Sequence, residues 1–260
     1  MERLALDPGQ LRSAILEGSS LWRHFELAAR TGSTNADLIA GAGAQAYPLG
    51  TVLVAEEQYA GRGRLDRAWQ APARSGLAVS VLIANPDRLE ATLLPLLVGV
   101  AAIRALRNGD WLSQPEHAGL KWPNDIMVGE RKVGGILTHQ ISIRGSRAIV
   151  AGLGLNVSLR SEELPTPNAT SLLLEGATEQ SRATYLISYL SELEDLLIAA
   201  DTDSLLAEYT QLSATIGRNV NIEFPGGRKH QGFATDIDPS GSLVLSDGVI
   251  VSAGDVIHLR

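Results

Sequence analysis

The sequence contains no cysteine. This absence excludes disulfide bonds, cysteine-ligated zinc, iron–sulfur clusters and a thiol nucleophile. Histidine is also scarce, and no pair has the His-x-x-x-His spacing of a zinc site; the five residues are His24, His117, His139, His230 and His258. The sequence therefore predicts no dedicated metal site, and a cytoplasmic location is the default expectation.

Long hydrophobic runs are missing as well. A membrane-spanning helix needs about 20 mostly apolar residues, whereas the longest apolar segment, residues 91–106, contains Pro95 and Arg104. Residues 1–8 lack the apolar core of a signal peptide. These observations predict a soluble chain with no membrane partner, in which residues 91–106 form a buried helix.

The chain has no excess of positive charge. It carries 22 Lys and Arg against 29 Asp and Glu, for a net charge of −7. The phosphates of nucleic acid repel such a chain, so we expect no nucleic-acid partner. Any anion-binding function must therefore depend on a local concentration of cations. Seven basic residues lie near the motifs described below: Arg62, Arg64, Arg67, Arg74, Lys121, Arg131 and Lys132.

Helix-start signals and apolar strand patterns alternate along most of the chain. Asp7 before Pro8 is typical of a helix N-terminus, and Ser33 or Thr34 can cap a second helix. The patterns predict helices at 7–17, 34–39, 89–107, 182–199 and 203–212, and strands at 51–56, 77–84 and within 119–157.

Short β patterns separated by turn residues dominate from about Thr215. Five short strands are predicted, at 219–224, 229–236, 243–246, 249–252 and 256–259. A small all-β unit must protect its edge strands and commonly does so by closing on itself. The sequence therefore predicts two domains, residues 1–213 and a small closed barrel at 214–260.

The densest group of chemically useful side chains lies in residues 121–137. Lys121, Asn124 and Asp125 flank a rigid Trp-Pro dipeptide, and Lys132 follows just before a Gly pair and an apolar run. A site that holds an anionic reactant against a nucleotide needs cations and polar groups placed this closely. The structural alternative is an Asx turn beside an exposed lysine.

Gly61-Arg62-Gly63-Arg64 is neither a Walker A loop nor a dinucleotide-binding fingerprint. Its glycines let backbone N–H groups approach an anion, and its arginines add charged donors. A solvated basic loop accounts for this motif equally well.

Three other features are ambiguous when taken singly. Gly152-x-Gly154 follows a strand and suits the approach of a base or ribose, although close packing is the commoner use of this pattern. Ser33-Thr34-Asn35 most often caps a helix. Trp69 and Trp122 are either core residues or, if exposed beside the basic loop, partners for an adenine ring.

Together and in this order, the motifs resemble those of the biotin protein ligases. The resemblance covers about residues 25–260. It is carried by residues 31–35, Glu57-Gln58, 61–64 with Trp69, 121–125, Lys132 with 134–137, and 152–156. It implies an α+β fold: a mixed β-sheet flanked by helices, as in class II synthetases, followed by a small SH3-like barrel.

The resemblance also implies a reaction and the residues for it. Biotin would be activated with ATP to biotinyl-5′-AMP and transferred to a lysine of a biotin carboxyl carrier protein. Catalytic roles fall on Lys132, Arg62, Arg64, Asp125 and Lys121. Biotin-binding roles fall on Ser33, Thr34, Asn35, Gln58, Gly61, Arg62, Gly63, Arg64, Lys132, Gly135, Gly152 and Gly154. ATP-binding roles fall on Arg62, Arg64, Trp69, Lys121, Asn124, Asp125, Lys132 and Asn156. Mg²⁺ is expected on the phosphates and not in a protein cage.

Two positions depart from the family pattern. Asp66 stands where the family's loop usually has glycine, and His139 where the family tends to have glutamate.

Because an acyl-adenylate is prone to hydrolysis, residues 61–74 are predicted to form a lid that is disordered without ligand and orders over biotinyl-adenylate.

Three rival functions remain at this stage. A lipoate ligase or octanoyl transferase would share the fold. A biotin-sensing repressor would need an additional DNA-binding domain, and only about 30 residues precede Ser33. A non-catalytic biotin-binding module would bind biotin without exchanging pyrophosphate into ATP.

Overall fold

The computed structural model describes residues 3–109, 111–177, 181–224 and 226–259. In these ranges the chain forms five α-helices and twelve strands arranged in two sheets. None of the helices in these ranges is long and apolar enough to cross a membrane.

The larger sheet has seven strands in the order β1-β2-β3-β7-β6-β5-β4. Its strands are β1 (His24–Ala28), β2 (Thr51–Ala55), β3 (Gly76–Ala84), β4 (Ala118–Lys121), β5 (Asp125–Val128), β6 (Arg131–Ile143) and β7 (Ser146–Asn156). Only β1 and β2 are parallel, and all other neighbours are antiparallel. The expectation of a mixed sheet is therefore confirmed.

Five helices accompany this sheet: α1 (Pro8–Leu16), α2 (Thr34–Gly43), α3 (Leu94–Arg107), α4 (Arg182–Ala199) and α5 (Thr202–Leu212). Asp7 caps α1 as predicted, because its carboxylate accepts from the N–H groups of Gly9 and Gln10. The helix α3 is almost wholly buried. It contacts α4, α5 and strands of the sheet, so it forms the centre of the core.

Two helix boundaries differ from the sequence prediction. The helix α2 continues past Ile39 to Gly43. Gly41 lies within it as a packing position, since a Cβ there would lie 2.1 Å from the Tyr47 ring. The helix α3 begins later than Leu89, after a 3₁₀ turn, and Pro95 lies in its first turn, where a missing N–H costs nothing.

The second sheet has five antiparallel strands in the order β11-β10-β9-β8-β12. They are β8 (Asn219–Glu223), β9 (Lys229–Ile237), β10 (Leu243–Leu245), β11 (Ile250–Val251) and β12 (Asp255–His258). The expected closure is wrong, because β11 and β12 do not pair within the described residues. With only two residues, β11 is too short to continue the ladder around to β12.

Contacts with the larger sheet explain how the open sheet is stabilised. Its apolar residues, including Val220 and Ile222, belong to the same hydrophobic cluster as α3. The buried Trp122 indole donates to the carbonyl of Gly241. At Gly241, φ is +83° and the backbone packs against Leu93, a close approach that only glycine makes without strain. The small sheet thus packs on the larger one instead of closing on itself.

Candidate active site

A cavity of about 540 Å³ lies between the larger sheet, the loop at 61–69 and β12. It is lined by all the site residues predicted from sequence except Gly61, namely Ser33, Thr34, Asn35, Gln58, Arg62, Gly63, Arg64, Trp69, Lys121, Asn124, Asp125, Lys132, Gly135, Gly152, Gly154 and Asn156. Gly61 supports the wall, since a Cβ there would lie 2.5 Å from the Trp69 carbonyl. The fold therefore brings the scattered motifs to one cavity.

One end of the cavity is a neutral polar cluster. Beyond the ends of β1 and β2, Thr31 and Gln58 form an isolated parallel bridge. This bridge positions Gln58 beside the N-terminus of α2. There Gln58 Oε1 accepts from Thr34 N–H at 2.8 Å and from Thr34 Oγ1 at 3.1 Å. Ser33 occupies the N-cap position without a side-chain capping bond, so Gln58 satisfies the helix end.

Asn35 fixes this polar end to the sheet. Its amide nitrogen donates to the Leu137 carbonyl at 2.9 Å and lies 3.4 Å from His139 Nδ1. The Ser80 hydroxyl lies 2.6 Å from Asn35 Oδ1 and 2.6 Å from Thr34 Oγ1. Sequence reasoning missed Ser80, although one polar residue within the apolar run of β3 was an available signal.

Gly152 and Gly154 accommodate protein side chains that line the cavity. A Cβ on Gly152 would lie 2.3 Å from Asn35 Oδ1, and a Cβ on Gly154 would lie 2.6 Å from the Trp69 indole. Gly154 pairs with Gly135, so two adjacent glycines form a flat floor beneath Trp69. Close packing therefore accounts for both glycines, and it places Trp69 beside the cavity.

Lys132 and Asp125 form an ion pair, with Lys132 Nζ 2.5 Å from Asp125 Oδ1. A bulge in the β5–β6 ladder shifts the register next to Lys132. Backbone bonds to Asn168 and Thr170 also fix this residue in place. Lys132 Nζ lies 5.9 Å from the Trp69 ring centre, so the ammonium stands between a carboxylate and an aromatic face.

Lys121 provides a second cation across the hairpin. It lies opposite Asp125 in the β4–β5 ladder. Burial lowers the pKa of Lys121, and the charge of Asp125 opposes that shift. A partly desolvated ammonium gains favourable Coulomb energy when an anion binds beside it. This part of the cavity therefore favours a negatively charged ligand.

Two asparagines hold the cavity wall in position. Asn124 Nδ2 donates to the Ile136 carbonyl at 2.8 Å, and Asn156 Nδ2 donates to the Thr170 carbonyl at 2.9 Å. Both amide nitrogens thus bond to backbone carbonyls. The direct nucleotide contacts that the resemblance implies for these asparagines stay a prediction.

The two tryptophans named from sequence have different environments. Trp122 is buried, with 2% of its surface exposed, and belongs to the hydrophobic core. Trp69 is partly exposed and lines the cavity above Gly154. Trp69 therefore remains the candidate for stacking on a nucleotide base, as the resemblance implies.

The basic loop, residues 61–69, is a compact turn. Trp69 N–H donates to the Gly61 carbonyl and Gly63 N–H to the Arg67 carbonyl. Arg64 donates to the Gly254 carbonyl at 3.2 Å, and burial lowers its pKa. The loop thus adds arginines to the cavity and contacts the second sheet.

Backbone conformation accounts for the departure at Asp66. Its φ is +56°, in the left-handed region that glycine adopts freely and aspartate tolerates better than most residues. The family glycine thus fits the same turn without strain, and Asp66 keeps the turn at a small conformational cost.

We expect Asp66→Gly to preserve activity within about twofold and to leave stability within about 1 kcal/mol of the wild type. Glycine relieves the backbone strain at φ +56°, but it also gives the unfolded chain more conformational freedom, and the two effects on stability offset each other. Steady-state kinetics and urea unfolding check this. The bulky variant Asp66→Val is the comparison, since a β-branched residue disfavours this φ; equal activity in the valine variant would contradict the assignment.

His258 connects the second sheet to the hairpin at the active site. Thr215 Oγ1 accepts from Trp122 N–H at 3.0 Å and lies 3.1 Å from His258 Nε2. The Thr215 proton is therefore available to a neutral imidazole. Burial, followed by the charges of Lys121 and Arg218, lowers the pKa of His258 to about 4.

We expect this imidazole to make the protein less stable in acid. Well above pH 6.5, His258 is neutral in both folded and unfolded chains. Below that pH the unfolded chain takes up the proton first, so the free energy of unfolding falls until about pH 4, by about 1 kcal/mol after solvent screening. Urea unfolding of His258→Gln from pH 4 to 8 should show a shallower acid dependence. His230→Gln is the matched control on the same sheet, and an unchanged slope in His258→Gln would refute the link.

The mixed sheet presents a cation-lined cavity that suits an anionic ligand, and the comparisons with known proteins place the chain among ligases. The chain belongs to the biotin/lipoate A/B protein ligase family, whose model matches residues 27–156. Residues 215–259 match the biotin protein ligase C-terminal domain.

Curated relatives and a solved structure agree with this membership. The chain is 41% identical to the biotin–[acetyl-CoA-carboxylase] ligase of Mycobacterium tuberculosis, over 99% of this chain and 97% of that protein. It is 31% identical to the bifunctional ligase/repressor BirA of Escherichia coli, over 81% of this chain and 67% of that protein. The biotin protein ligase of Aquifex aeolicus in complex with biotin and ATP superposes with a TM-score of 0.72 at 26% identity, covering 92% of this chain and all of that one.

Proposed function

We propose that this chain joins biotin to a lysine of a biotin carboxyl carrier protein, such as that of acetyl-CoA carboxylase, using ATP. Support comes from the relatives named as biotin ligases and from the cavity. The convergence of Lys121, Lys132, Arg62 and Arg64 on a cavity that ends in a neutral polar cluster carries the proposal. This combination suits a ligand with a carboxylate at one end and a neutral polar head at the other.

The first half-reaction brings two anions together. An oxygen of the biotin carboxylate attacks the α-phosphorus of ATP, the bond to the β-phosphate oxygen breaks, and pyrophosphate leaves with its electron pair. Mutual repulsion of the two anions dominates this step unless cations offset it. We assign Lys132 to bridge them, and its ion pair with Asp125, which holds the ammonium at the cavity wall, supports that assignment. Arg62, Arg64 and Lys121 supply further positive charge.

The second half-reaction transfers the acyl group. The amine of the carrier lysine attacks the acyl carbon of biotinyl-5′-AMP, the bond from that carbon to the phosphate oxygen breaks, and AMP leaves. The amine must lose a proton, and the Asp125 carboxylate is the group we assign to orient or accept it. In the first half-reaction Asp125 is paired with Lys132, so its two roles fall in successive steps.

Magnesium is expected to enter with the nucleotide. Within the described ranges, no group of three His, Cys, Asp or Glu side chains is placed to hold a metal ion. Asp125 is paired with Lys132, and Glu130 with Arg218. Mg²⁺ carried by the phosphates would offset charge there and keep most of its water ligands.

The polar end of the cavity favours biotin over lipoate. Gln58, Thr34 and Ser33 present amide and hydroxyl groups there. A ureido ring, with two N–H donors and a carbonyl acceptor, can form hydrogen bonds with amide and hydroxyl groups of this kind. The sulfur ring of lipoate offers no comparable donors, so it forgoes hydrogen bonds at this end that are worth about 0.5–1.5 kcal/mol each. We therefore assign the biotin branch of the family.

Biotin-dependent exchange of labelled pyrophosphate into ATP tests the proposal, followed by transfer of biotin to a carrier domain. Exchange with biotin and not with lipoate supports it. Exchange with lipoate alone would assign the other branch of the family. Biotin binding without exchange, in demonstrably folded protein, would make the chain a binding module and overturn the ligase assignment.

Two broader assignments accompany this proposal. Consumption of ATP fits a cytoplasmic enzyme, and localisation of a tagged chain checks that. Residues 1–213 and 214–260 are our proposed domains, although β12 of the second domain also lines the cavity. Removing the second domain should therefore impair catalysis as well as stability.

A further inference from the structure

The basic loop contacts an edge strand of the second sheet at two points. Arg67 forms an ion pair with Asp255 at the start of β12. Arg64 donates to the carbonyl of the preceding residue, Gly254, at 3.2 Å. The paired side chains of Arg67 and Asp255 are 188 residues apart in sequence, so a fixed element from the far end of the chain holds this loop.

Asp255 belongs to the cavity wall as well as to the loop contact. It lines the same 540 Å³ cavity as Lys132 and Arg64. Its side chain is 20% exposed, whereas that of Arg67 is 67% exposed. Asp255 lies in the β8–β12 ladder opposite Glu223, so the carboxylate is the more buried partner and the arginine the more exposed one.

The internal geometry of the loop transmits this restraint to the other arginines. The Arg67 carbonyl accepts from Gly63 N–H at 2.8 Å, and Arg62 pairs with Ala68 across the turn. Leu65 and Asp66 both have positive φ, at 53° and 56°. A turn with two such residues needs outside contacts to persist, and Asp255 supplies one of them.

We propose that Asp255 is a positioning residue that holds the basic loop over the reacting groups and so retains the acyl-adenylate. This proposal rests on the function proposed above. It gives the second sheet a definite role, because the edge strand of that sheet then closes the loop side of the active site. The neutral polar end is formed by other residues and should not respond to Asp255.

A double-mutant cycle tests the proposal. With biotin and ATP but no carrier, AMP formed after the first turnover reports the escape of biotinyl-5′-AMP. Asp255→Asn and Arg67→Gln should each raise that rate about threefold to fivefold, the size expected for a partly exposed ion pair. The double variant should match a single one, and Asp255→Glu should restore most of the retention. The proposal would be overturned if the double variant raised the escape rate by the product of the two single effects. It would also be overturned if Asp255→Asn left that rate unchanged.

A binding measurement separates positioning from general damage. Affinity for biotin alone, without ATP, should fall by less than the rate of adenylate escape rises, because Ser33, Thr34 and Gln58 keep their places at the polar end in every variant. A parallel loss of biotin affinity would assign Asp255 a structural role instead. Asp247→Asn is the matched control, because the Asp247 carboxylate lies 2.7 Å from His230 Nε2 in the second sheet, away from the cavity; it should leave adenylate escape unchanged.

Trypsin cleavage of the loop provides a readout independent of activity. Asp255→Asn should speed cleavage after Arg62 and Arg64 about threefold to fivefold, since the loop opens more often, and Asp247→Asn should not. Wild-type protein that makes no adenylate would refute the proposed ligase function, while the cleavage rates would still decide the Asp255 contact. Equal cleavage in wild type and Asp255→Asn would overturn it.

Discussion

Lys132→Ala is expected to abolish most biotin-dependent exchange of pyrophosphate into ATP. The ammonium that offsets repulsion between the biotin carboxylate and the α-phosphate is lost, and a charged hydrogen bond is worth roughly 1.5–3 kcal/mol even in a ground state. Because the contact strengthens in the transition state, we expect a loss of about 100-fold to 1,000-fold in kcat. Biotin affinity measured without ATP should change much less.

Arg131→Ala is the matched control for Lys132→Ala. Arg131 is the adjacent residue on β6, with its side chain exposed and paired with Glu175. Its loss removes the same charge without touching the cavity, so exchange should stay within about twofold. Retention of more than a third of wild-type exchange by Lys132→Ala, in folded protein, would contradict the role of Lys132.

Local sequence predicted the charged part of the site because its members are close in the chain. Lys121 to Asp125 form the end of one hairpin, and Lys132 follows on the next strand, so short-range geometry alone brings them together. The 2.5 Å contact between Lys132 and Asp125 lies beside a bulge in the β5–β6 ladder, and no local sequence pattern predicts that bulge. The sequence thus indicated which residues meet, but not how.

The polar end depends on contacts between distant residues. Gln58 caps a helix that begins 24 residues earlier, and Ser80 reaches Thr34 across 46 residues. The local pattern assigned the cap to Ser33 or Thr34, since it cannot show that a residue from another part of the chain supplies the acceptor. Gly152 and Gly154 were ambiguous for the same reason: the side chains packed on them come from elsewhere.

The second sheet shows where reasoning about an isolated unit fails. Its five strands were predicted from turn residues, and their bounds agree closely with the structure. Closure was expected because an isolated small sheet must protect its edges. Here the two sheets contribute to one hydrophobic core, and the basic loop contacts the β12 edge at Gly254 and Asp255. Edge protection thus comes from tertiary contacts that composition does not reveal.

Gly152→Ala is expected to weaken biotin binding about tenfold to 100-fold through Asn35. Gly152 lies between Ser80 and Leu137 in the sheet, and Asn35 bonds to both of these residues directly above it. A methyl group would lie 2.3 Å from Asn35 Oδ1. Displacing this buried amide should cost about 1–3 kcal/mol and shift the start of α2, which carries the polar end of the cavity.

Calorimetric biotin titration and urea unfolding measure both consequences. Gly43→Ala is the matched control at the end of α2, where an added Cβ meets nothing within 4 Å. It should leave biotin affinity unchanged and stabilise the helix by up to about 1 kcal/mol. Asn35→Ala should weaken binding about as much as Gly152→Ala, and the two together should not add, because both act on one amide. Wild-type affinity in Gly152→Ala would show that the amide moves freely and that Asn35 does not position the biotin end.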